Sequence, residues 1–208
     1  MFLRYAITDR SQTSHNGQND HSFEESDSGL ARQSTYLAGA GVDFLQIREK
    51  DLGAAAIAAL ARRLLETLQG SSTRLLINSR ADIAVAVAAH GVHLTSSSDE
   101  LSADQVRGIY AKASLPVPVV TLSCHTLDDV ATHRSDGLTA ILFGPIFEKV
   151  LAGDARLEGI GLERLRQACE AAAPVPVLAL GGITTETIAD CIAAGAAGVA
   201  GIRLFQYG

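Results

Sequence analysis

Cysteine is scarce in this 208-residue chain, and its three cysteines, Cys124, Cys169 and Cys191, form no CxxC pair. An odd number of widely spaced cysteines argues against a disulfide framework and a zinc site, and it predicts buried thiols without a chemical role. Basic residues are also outnumbered, because 17 Lys and Arg face 23 Asp and Glu. A net charge of −6 without a basic stretch gives no surface for a polyanionic backbone, so we expect no nucleic-acid partner.

Long apolar runs are missing too. No run approaches the length of about 18 residues that a membrane helix needs, so we expect no membrane partner. The N-terminal segment "FLRYAIT" has the pattern of a strand and not of a signal peptide. We therefore expect a soluble protein of the cytoplasm, with one domain large enough for a single core.

Short runs rich in Val, Ile and Leu alternate with alanine-rich helical patterns along the chain. This alternation is typical of repeated βα units with a parallel sheet. Eight mostly apolar strands in so short a chain favour a compact (β/α)8 TIM barrel over an open sheet, and we interpret residues 1–208 as one such domain. The predicted strands are 3–8, 42–48, 73–78, 91–95, 117–123, 139–144, 175–180 and 197–202.

Only seven helices are predicted. The chain stops after "GIRLFQYG", so the outer helix that usually follows the eighth strand is missing. A bare apolar flank favours association, and we expect a homodimer or a larger homo-oligomer. The helical patterns lie near 29–39, 53–68, 81–88, 102–112, 126–135, 162–172 and 185–194.

The segment 11–29, "SQTSHNGQNDHSFEESDSG", is polar and contains almost no apolar residue. Its composition predicts a long loop after the first strand. Two alternatives remain for it, a disordered loop or a lid over the barrel.

Polar side chains concentrate where the predicted strands end. In a barrel of parallel strands the loops at these ends form the active site, so the residues should face one mouth. They are Thr8, Asp9, Arg10, Gln46, Arg48, Lys50, Asn78, Ser79, His93, Thr95, Ser123, His125, Gly144 and Lys149.

Glycines end the last two strands. Gly181 and Gly182 follow the seventh strand in "LALGGIT", and the eighth strand ends in "AGIR". Backbone N–H groups at this place in a barrel commonly hold a phosphate, and a bare turn is the alternative.

Two histidines lie near the predicted mouth. His93, within the apolar "GVHLT", is either a hydrogen-bonded core residue or a reactant. His125 follows the fifth strand, where a neutral imidazole could move a proton; a plain position at the start of a helix is the alternative.

Seven segments occur in chain order: "YAITDR", "LQIREKDL", "LINSRADIA", "GVHL", "LSCHTLDD", "FGPIF" and "LALGGIT…AGAAGVAGI". Together they resemble the thiamin phosphate synthase superfamily, which also contains the TenI-type thiazole tautomerases. The resemblance runs from residue 3 to about residue 203. It implies a (β/α)8 barrel of thiamin biosynthesis, usually oligomeric, that binds a thiazole phosphate at the loops after strands seven and eight.

In the synthases of this superfamily a pyrimidine diphosphate ionises to a carbocation-like pyrimidine and pyrophosphate, and the thiazole nitrogen captures the cation. Magnesium and cationic side chains stabilise the charge on the leaving group. By motif, the resemblance implies that Gln46, Arg48, Lys50 and Asn78 meet the pyrimidine diphosphate and that Ser123 contacts the pyrophosphate. The candidate catalytic residues are Lys50, Ser123 and His125. The candidate substrate-binding residues are Gln46, Arg48, Lys50, Asn78, His93, Ser123, Lys149, Gly181, Gly182, Gly201, Ile202 and Arg203.

Several positions depart from the synthase pattern. Ser79 stands where the synthases have an aspartate that binds magnesium, and serine is a poor replacement for an anionic ligand. The acids after "GVHL" come late, so Asp99 and Glu100 are the candidate magnesium ligands. Ala152 lies near the usual phosphate-binding lysine, which leaves Lys149 or Arg156 as substitutes. Arg203 replaces a small serine beside the thiazole phosphate.

These departures resemble the tautomerase branch, in which a histidine at the position of His125 shuttles a proton without metal. In contrast, "QIREK", "GVHL" and "GPIF" are closer to the synthases. We therefore keep three hypotheses. The first is a magnesium-dependent synthase, because Lys50, Asp99 and Glu100 could assemble a diphosphate site. The second is a thiazole tautomerase, and the third is a barrel that binds thiazole or thiamin phosphates without catalysis.

Overall fold

The structure, a computed structural model, describes residues 2–10, 23–134, 137–150 and 156–206. Its ten strands are β1 Leu3–Ile7, β2 Phe44–Ile47, β3 Arg74–Asn78, β4 Gly91–Leu94, β5 Val119–Cys124, β6 Ala140–Phe143, β7 Lys149–Val150, β8 Arg156–Leu157, β9 Val177–Leu180 and β10 Gly198–Gly201. Its helices are α1 Phe23–Gly39, α2 Ala54–Thr67, α3 Ala81–Ala86, α4 Ala103–Lys112, α5 Leu127–His133, α6 Gly161–Ala172 and α7 Ile188–Ala193.

Eight of the strands close into a parallel barrel with the order β1-β10-β9-β6-β5-β4-β3-β2. The last strand pairs with the first, with Leu3 opposite Gly198 and Ala6 opposite Gly201. The predicted TIM barrel is therefore confirmed, and each barrel strand lies within two residues of its predicted bounds. The short strands β7 and β8, which were not predicted, form an antiparallel hairpin between β6 and α6.

The helices surround the barrel because each presents one apolar face to it. In α2 the buried residues Ile57, Leu60, Ala61 and Leu64 recur at helical spacing. Local signals also fix where helices begin. The hydroxyl of Ser102 accepts from the N–H of Gln105, and the Gln105 side chain accepts from the N–H of Ser102, which is a capping box at the start of α4.

The predicted loop 11–29 is wrong at its C-terminal end, because residues 23–29 belong to α1. Residues 11–22 lie outside the described part of the chain. The polar composition of the segment concealed the helix start. Further along α1, Leu30, Ser34 and Leu37 are buried at spacings of four and three residues, so this side of the helix packs against the barrel.

Two apolar cores result from the alternation of side chains along the strands. One lies inside the barrel and includes Tyr5, Phe44, Leu76 and Leu142. The larger one lies between the barrel and the helices. Where an eighth outer helix would follow β10, the described chain has a three-residue 3-10 helix, Arg203–Phe205.

All three cysteines are free, as the sequence predicts, although Cys169 is only half-buried. No helix within the described residues combines the length and the apolar character that crossing a bilayer requires.

Candidate active site

The mouth end of the barrel interior has two unlike sides. Inward-facing side chains of β1 to β5 and of β6, β9 and β10 alternate with the outward ones, as the pleat of a strand requires. The polar members of the first group are called here the polar wall: Tyr5, Gln46, Asn78, His93, Thr121 and Ser123. Ile7, Phe44 and Leu76 of the same strands also face inward and are apolar. The second group is called the apolar wall: Ala140, Leu142, Leu178, Leu180 and Ala200.

His93 is at the centre of the polar wall and is only 3 % exposed. Its Nδ1 lies 2.8 Å from Thr121 Oγ1 and 3.3 Å from the Tyr5 hydroxyl, and its Nε2 lies 2.9 Å from Ser123 Oγ. Burial, together with the nearby charge of Arg48, lowers the pKa of His93 to about 3. His93 is therefore neutral near pH 7 and serves as a hydrogen-bond partner in the core.

Tyr5 connects this histidine to a row of amide side chains. Its hydroxyl lies 3.1 Å from Thr121 Oγ1 and donates to Gln46 Oε1 at 3.1 Å. Burial raises the pKa of Tyr5, so the hydroxyl keeps its proton. Gln46 is fully buried, and its Nε2 donates to Asn78 Oδ1 at 2.8 Å. In this conformation Gln46 reaches the mouth only through Asn78.

The row ends at Ser79 and Glu100. Asn78 Nδ2 donates to Ser79 Oγ at 3.3 Å, and Ser79 Oγ donates to Glu100 Oε2 at 2.7 Å. The same carboxylate oxygen accepts from the N–H and the hydroxyl of Thr95, each at 3.3 Å. Ser79 has a φ of 53°, a left-handed conformation that is uncommon without glycine and that aims its side chain at Glu100.

Glu100, and not Asp99, therefore reaches the position of the predicted metal site. Asp99 is exposed, and its N–H donates to Ser97 Oγ at 3.4 Å. Within the described ranges, no group of three or more His, Cys, Asp or Glu side chains is placed to hold a metal ion. Of the two acids, Glu100 is the one whose carboxylate contacts Ser79, and Mg²⁺ commonly completes such a partial site with substrate oxygens and water.

Arg48, Glu49 and Lys50 turn in different directions at the end of β2. Arg48 is half-buried, and its charge is near enough to His93 to contribute to the lowered pKa of that residue. Lys50 is exposed. Glu49 is buried and accepts from Thr8 Oγ1 at 2.5 Å and from the Arg10 N–H at 3.2 Å.

The buried contacts of Glu49 fix this corner of the mouth. Thr8 Oγ1 also accepts from the Arg48 N–H at 3.0 Å. Arg10 approaches Glu49 to 3.4 Å and forms an ion pair with Asp51. The turn that carries the two predicted cations is therefore tied to the end of β1. Glu49 was not predicted, although strand alternation places it on the side opposite to Arg48.

Within the described residues, His125 shares no hydrogen bond with the polar wall, although it follows Ser123 by two positions. It is exposed, and its Nδ1 lies 2.7 Å from the carbonyl oxygen of Gly144. Because a carbonyl oxygen only accepts hydrogen bonds, Nδ1 carries the proton and donates it. It lines a cavity of about 480 Å³ on the outer side of the barrel, together with Thr126, Leu127, Asp128, Phe143, Ile160 and Arg164. Its placement fits the predicted alternative of a residue before a helix, since α5 begins at Leu127.

The glycines after β9 are required by close backbone packing. Gly181 and Gly182 have φ of 91° and 66°. A Cβ on Gly182 would lie 2.6 Å from the carbonyl oxygen of Glu148, and one on Gly181 would lie 2.6 Å from Pro145 Cβ. Packing alone therefore accounts for the pair, and phosphate binding at Gly182 stays a prediction.

The remaining predicted residues lie at the same end of the barrel. Gly201 ends β10, and Ile202 precedes the 3-10 helix that begins at the exposed Arg203. Lys149 begins the hairpin. Arg156 donates to Glu148 Oε1 at 2.8 Å in an exposed pair, and Ala152 lies outside the described residues.

Sequence reasoning missed Tyr5, Thr121 and Glu49. Tyr5 and Thr121 stand in apolar strands and look like core residues. Strand alternation places Tyr5 and Thr121 on the inward face, as it does Gln46 and Ser123. To use this signal one must know the register between strands that are far apart in the sequence.

A family model described as thiamine monophosphate synthase matches residues 5–205 of the chain. A Geobacter sulfurreducens protein, provisionally named as a thiamine-phosphate synthase, is 37 % identical over 202 residues, which are 96 % of this chain and 84 % of that protein. The thiamine-phosphate synthase of Moorella thermoacetica is 36 % identical over 163 residues, 78 % of this chain and 73 % of that protein.

Among solved structures, the thiamine phosphate pyrophosphorylase of Pyrococcus furiosus superposes with a TM-score of 0.72 at 22 % identity. The match covers 97 % of this chain and 85 % of that one. At this identity the likeness supports the fold alone.

Proposed function

The chain belongs to the thiamine monophosphate synthase family, and from that premise we propose that it is a transferase that joins hydroxymethylpyrimidine diphosphate to thiazole phosphate. The C–O bond to the diphosphate breaks, pyrophosphate leaves, and the thiazole nitrogen forms the new C–N bond. The observation that carries the proposal is the family match over residues 5–205, nearly the whole barrel. The polar wall, with the charge of Arg48 near His93, provides a compatible site.

Negative charge develops on the leaving diphosphate, and cations at the mouth stabilise it. Arg48 and Lys50 are the residues for this role, and the buried Glu49 holds their turn in place. Preorganised charges of this kind are usually the largest single contribution to catalysis. Asn78 and Ser123, at the ends of β3 and β5, orient the pyrimidine diphosphate from the polar wall.

Magnesium fits this site only as an ion shared with the substrate. Mg²⁺ accepts one or two carboxylates completed by phosphate oxygens and water. Glu100 supplies one carboxylate, and its Oε2 is already held by Ser79 and Thr95. When bound, the ion would neutralise charge on the diphosphate.

The thiazole phosphate would lie on the other side of the mouth. Barrels of this class often bind phosphate at the loops after the last two strands and at the start of a short extra helix. Here those elements are Gly182 after β9, Gly201 and Ile202 at the end of β10, and the 3-10 helix. Arg203 would add a cation to these backbone N–H groups.

The test is product formation from both substrates with and without Mg²⁺. We expect turnover that requires the metal and falls about 100-fold or more in Lys50→Ala, because a charge at the leaving group is lost. Lys112→Ala, an exposed lysine at the end of α4, is the control and should match the unchanged protein. Absence of turnover at saturating substrates and metal would contradict the proposal.

The same assay separates the synthase from the tautomerase. Because His125 bonds to Gly144 and not to the polar wall, His125→Ala should retain synthase activity within a few-fold. Metal-independent isomerisation of a thiazole carboxylate phosphate that collapses in His125→Ala would instead identify a tautomerase. No finding favours the tautomerase or the binding-only hypothesis.

We also propose a homo-oligomer that covers the flank beside α1. Tyr36 on α1 is a large apolar side chain with 51 % exposure, and Gln33 of the same helix donates to the carbonyl of Phe205 at 3.3 Å. Sedimentation should show a dimer or larger species that Tyr36→Glu weakens. A monomer at all concentrations would exclude it.

A further inference from the structure

Each side chain of the polar wall has few protons to donate and several hydrogen-bond neighbours. The direction of each hydrogen bond can therefore be worked out from its neighbours. Five side chains take part: Tyr5, Gln46, His93, Thr121 and Ser123, with Asn78, Ser79 and Glu100 continuing the row to the mouth. Because Tyr5, Gln46 and Thr121 are fully buried, water does not relieve a wrong assignment there.

The directions start at Glu100. Its Oε2 faces the backbone N–H of Thr95, which can only donate, so this oxygen is an acceptor. Ser79 therefore gives its single hydroxyl proton to Glu100. The Ser79 oxygen then accepts, and the atom of Asn78 that faces it is the amide nitrogen.

The same logic passes along the row to Tyr5. Asn78 has its nitrogen on Ser79, so its oxygen accepts from Gln46 Nε2. Gln46 Oε1 then faces Tyr5, and the tyrosine must donate its only proton to it. The Tyr5 oxygen is left to accept from Thr121 or from His93.

Only one tautomer of His93 fits these neighbours. If Nδ1 carries the proton, it donates to Thr121 Oγ1, and Thr121 donates to Tyr5. If Nε2 carried the proton, Thr121 would have to donate its hydroxyl proton to Nδ1. The contact between Thr121 and Tyr5 at 3.1 Å and the contact between Nδ1 and Tyr5 at 3.3 Å would then both lack a proton. Unprotonated atoms facing each other at these distances without water are unfavourable.

We propose that Tyr5 and Thr121 are positioning residues that hold His93 as its Nδ1–H tautomer and thereby turn the hydroxyl proton of Ser123 inward, onto His93 Nε2. In the ligand-free protein, Ser123 then presents an acceptor oxygen to the mouth. Neither Tyr5 nor Thr121 contacts the mouth itself, since they are fully buried.

This arrangement matters for the leaving group, a point that rests on the proposed synthase function. A diphosphate oxygen accepts hydrogen bonds, so Ser123 can bond to it only by turning its proton outward. His93 Nε2 must then become the donor to Ser123, and the tautomer must change. Binding of pyrophosphate at Ser123 and the tautomer of His93 are therefore coupled.

The experiment is 15N NMR of protein labelled in its histidine rings, which distinguishes protonated from unprotonated ring nitrogens. His93→Gln assigns the signals. Without ligand we expect a proton on Nδ1 and none on Nε2. Tyr5→Phe removes the acceptor that excludes the other tautomer, so both forms should be populated. Gln46→Met releases the Tyr5 proton to donate toward His93, and the Nε2–H form should increase.

The matched control is Tyr110→Phe. Tyr110 is a second buried tyrosine, whose hydroxyl donates to the carbonyl of Ala89 at 3.1 Å, away from the polar wall. The Tyr110→Phe substitution should leave the His93 signals unchanged. An Nε2–H pattern in the unchanged protein, or an Nδ1–H pattern that persists in both Tyr5→Phe and Gln46→Met, would overturn the positioning role.

Titration with inorganic pyrophosphate and Mg²⁺ tests the coupling. We expect the Nε2–H form of His93 to grow as pyrophosphate binds, with binding followed independently by calorimetry. Heat of binding without a change at His93 would overturn the coupling. Absence of any binding would count against both the coupling and the synthase proposal, whereas the ligand-free spectra still decide the positioning role.

Discussion

The polar wall and the apolar wall are built from the same strand geometry and differ in what their inward side chains do. On the polar wall, Gln46, His93 and Thr121 are buried, and their side-chain hydrogen bonds go to other members of the same wall. On the apolar wall, Leu142 and Leu178 fill the barrel by packing. A hydrogen-bonded network fixes directions, whereas packing fixes volume. We therefore expect the polar wall to orient the pyrimidine diphosphate and the packed leucines of the apolar wall to contribute more to the stability of the barrel.

The sharpest test of this division is Leu178→Ala on the apolar wall. Leu178 is fully buried inside the barrel, so its truncation leaves a cavity and should lower the free energy of unfolding by about 4 kcal/mol. Urea unfolding measures the loss. Thr121→Ser, the control on the polar wall, keeps the hydroxyl and should cost much less. Equal losses would break the comparison.

A second test asks whether the apolar side depends on backbone fit. Gly182→Ala combines a φ of 66° with a Cβ 2.6 Å from the Glu148 carbonyl oxygen, and should cost about 3 kcal/mol. Gly70→Ala is the control, since Gly70 has a φ of 78° with nothing within 4 Å of its Cβ. It should lose only the conformational part, about 1 kcal/mol. The difference in unfolding free energy isolates the close approach of the two loops.

The third test concerns the end of the polar row. Glu100→Gln weakens bonds from Ser79 and Thr95 to a charged acceptor, and should lower synthase kcat/KM about 10- to 100-fold. Asp99→Asn changes the neighbouring exposed acid and should stay within about two-fold. Equal losses in both variants would show that the loop, and not the Glu100 contact, is responsible.

The smallest expected effect is the pH dependence that His93 brings to the polar wall. Its pKa in the folded protein is about 3, below the ordinary value of 6.5, so the unfolded chain binds more protons between these values. Stability from this group is complete above pH 6.5 and is lost as pH falls toward 3. Between pH 6.5 and pH 5 the unchanged protein should lose about 2 kcal/mol more than His93→Gln. Parallel pH profiles in urea unfolding would contradict this.

Most of the fold could be predicted because its signal is local. Apolar runs and their spacing placed all eight barrel strands, and strand ends placed Arg48, Asn78 and Ser123 at the mouth. The start of α1 could not be predicted, because the segment before Leu30 is polar and its composition is typical of a loop. The family is confirmed by the comparisons, whereas magnesium binding, the oligomer, the cytoplasmic location and the single-domain assignment of residues 1–208 stay predictions.

The candidate site was less accessible, because it depends on contacts between distant segments. Tyr5 meets His93 and Thr121 only once the barrel closes, across 88 and 116 residues of chain. Asp99 and Glu100 are neighbours in the sequence, and the conformation of their loop decides that Glu100 is the one that accepts the hydrogen bond from Ser79. Alternation would have separated Glu49 from Arg48, but a run of three charges suggested a single cluster.

The contact between Ser79 and Glu100 also limits how this protein can change over evolutionary time. An aspartate at position 79 would place a second carboxylate where a hydroxyl now lies 2.7 Å from Glu100 Oε2. Two such groups cannot both ionise at that distance without a proton or a cation between them. An aspartate at residue 79 would therefore be compatible with Glu100 only where a proton or a cation is shared between the two carboxylates.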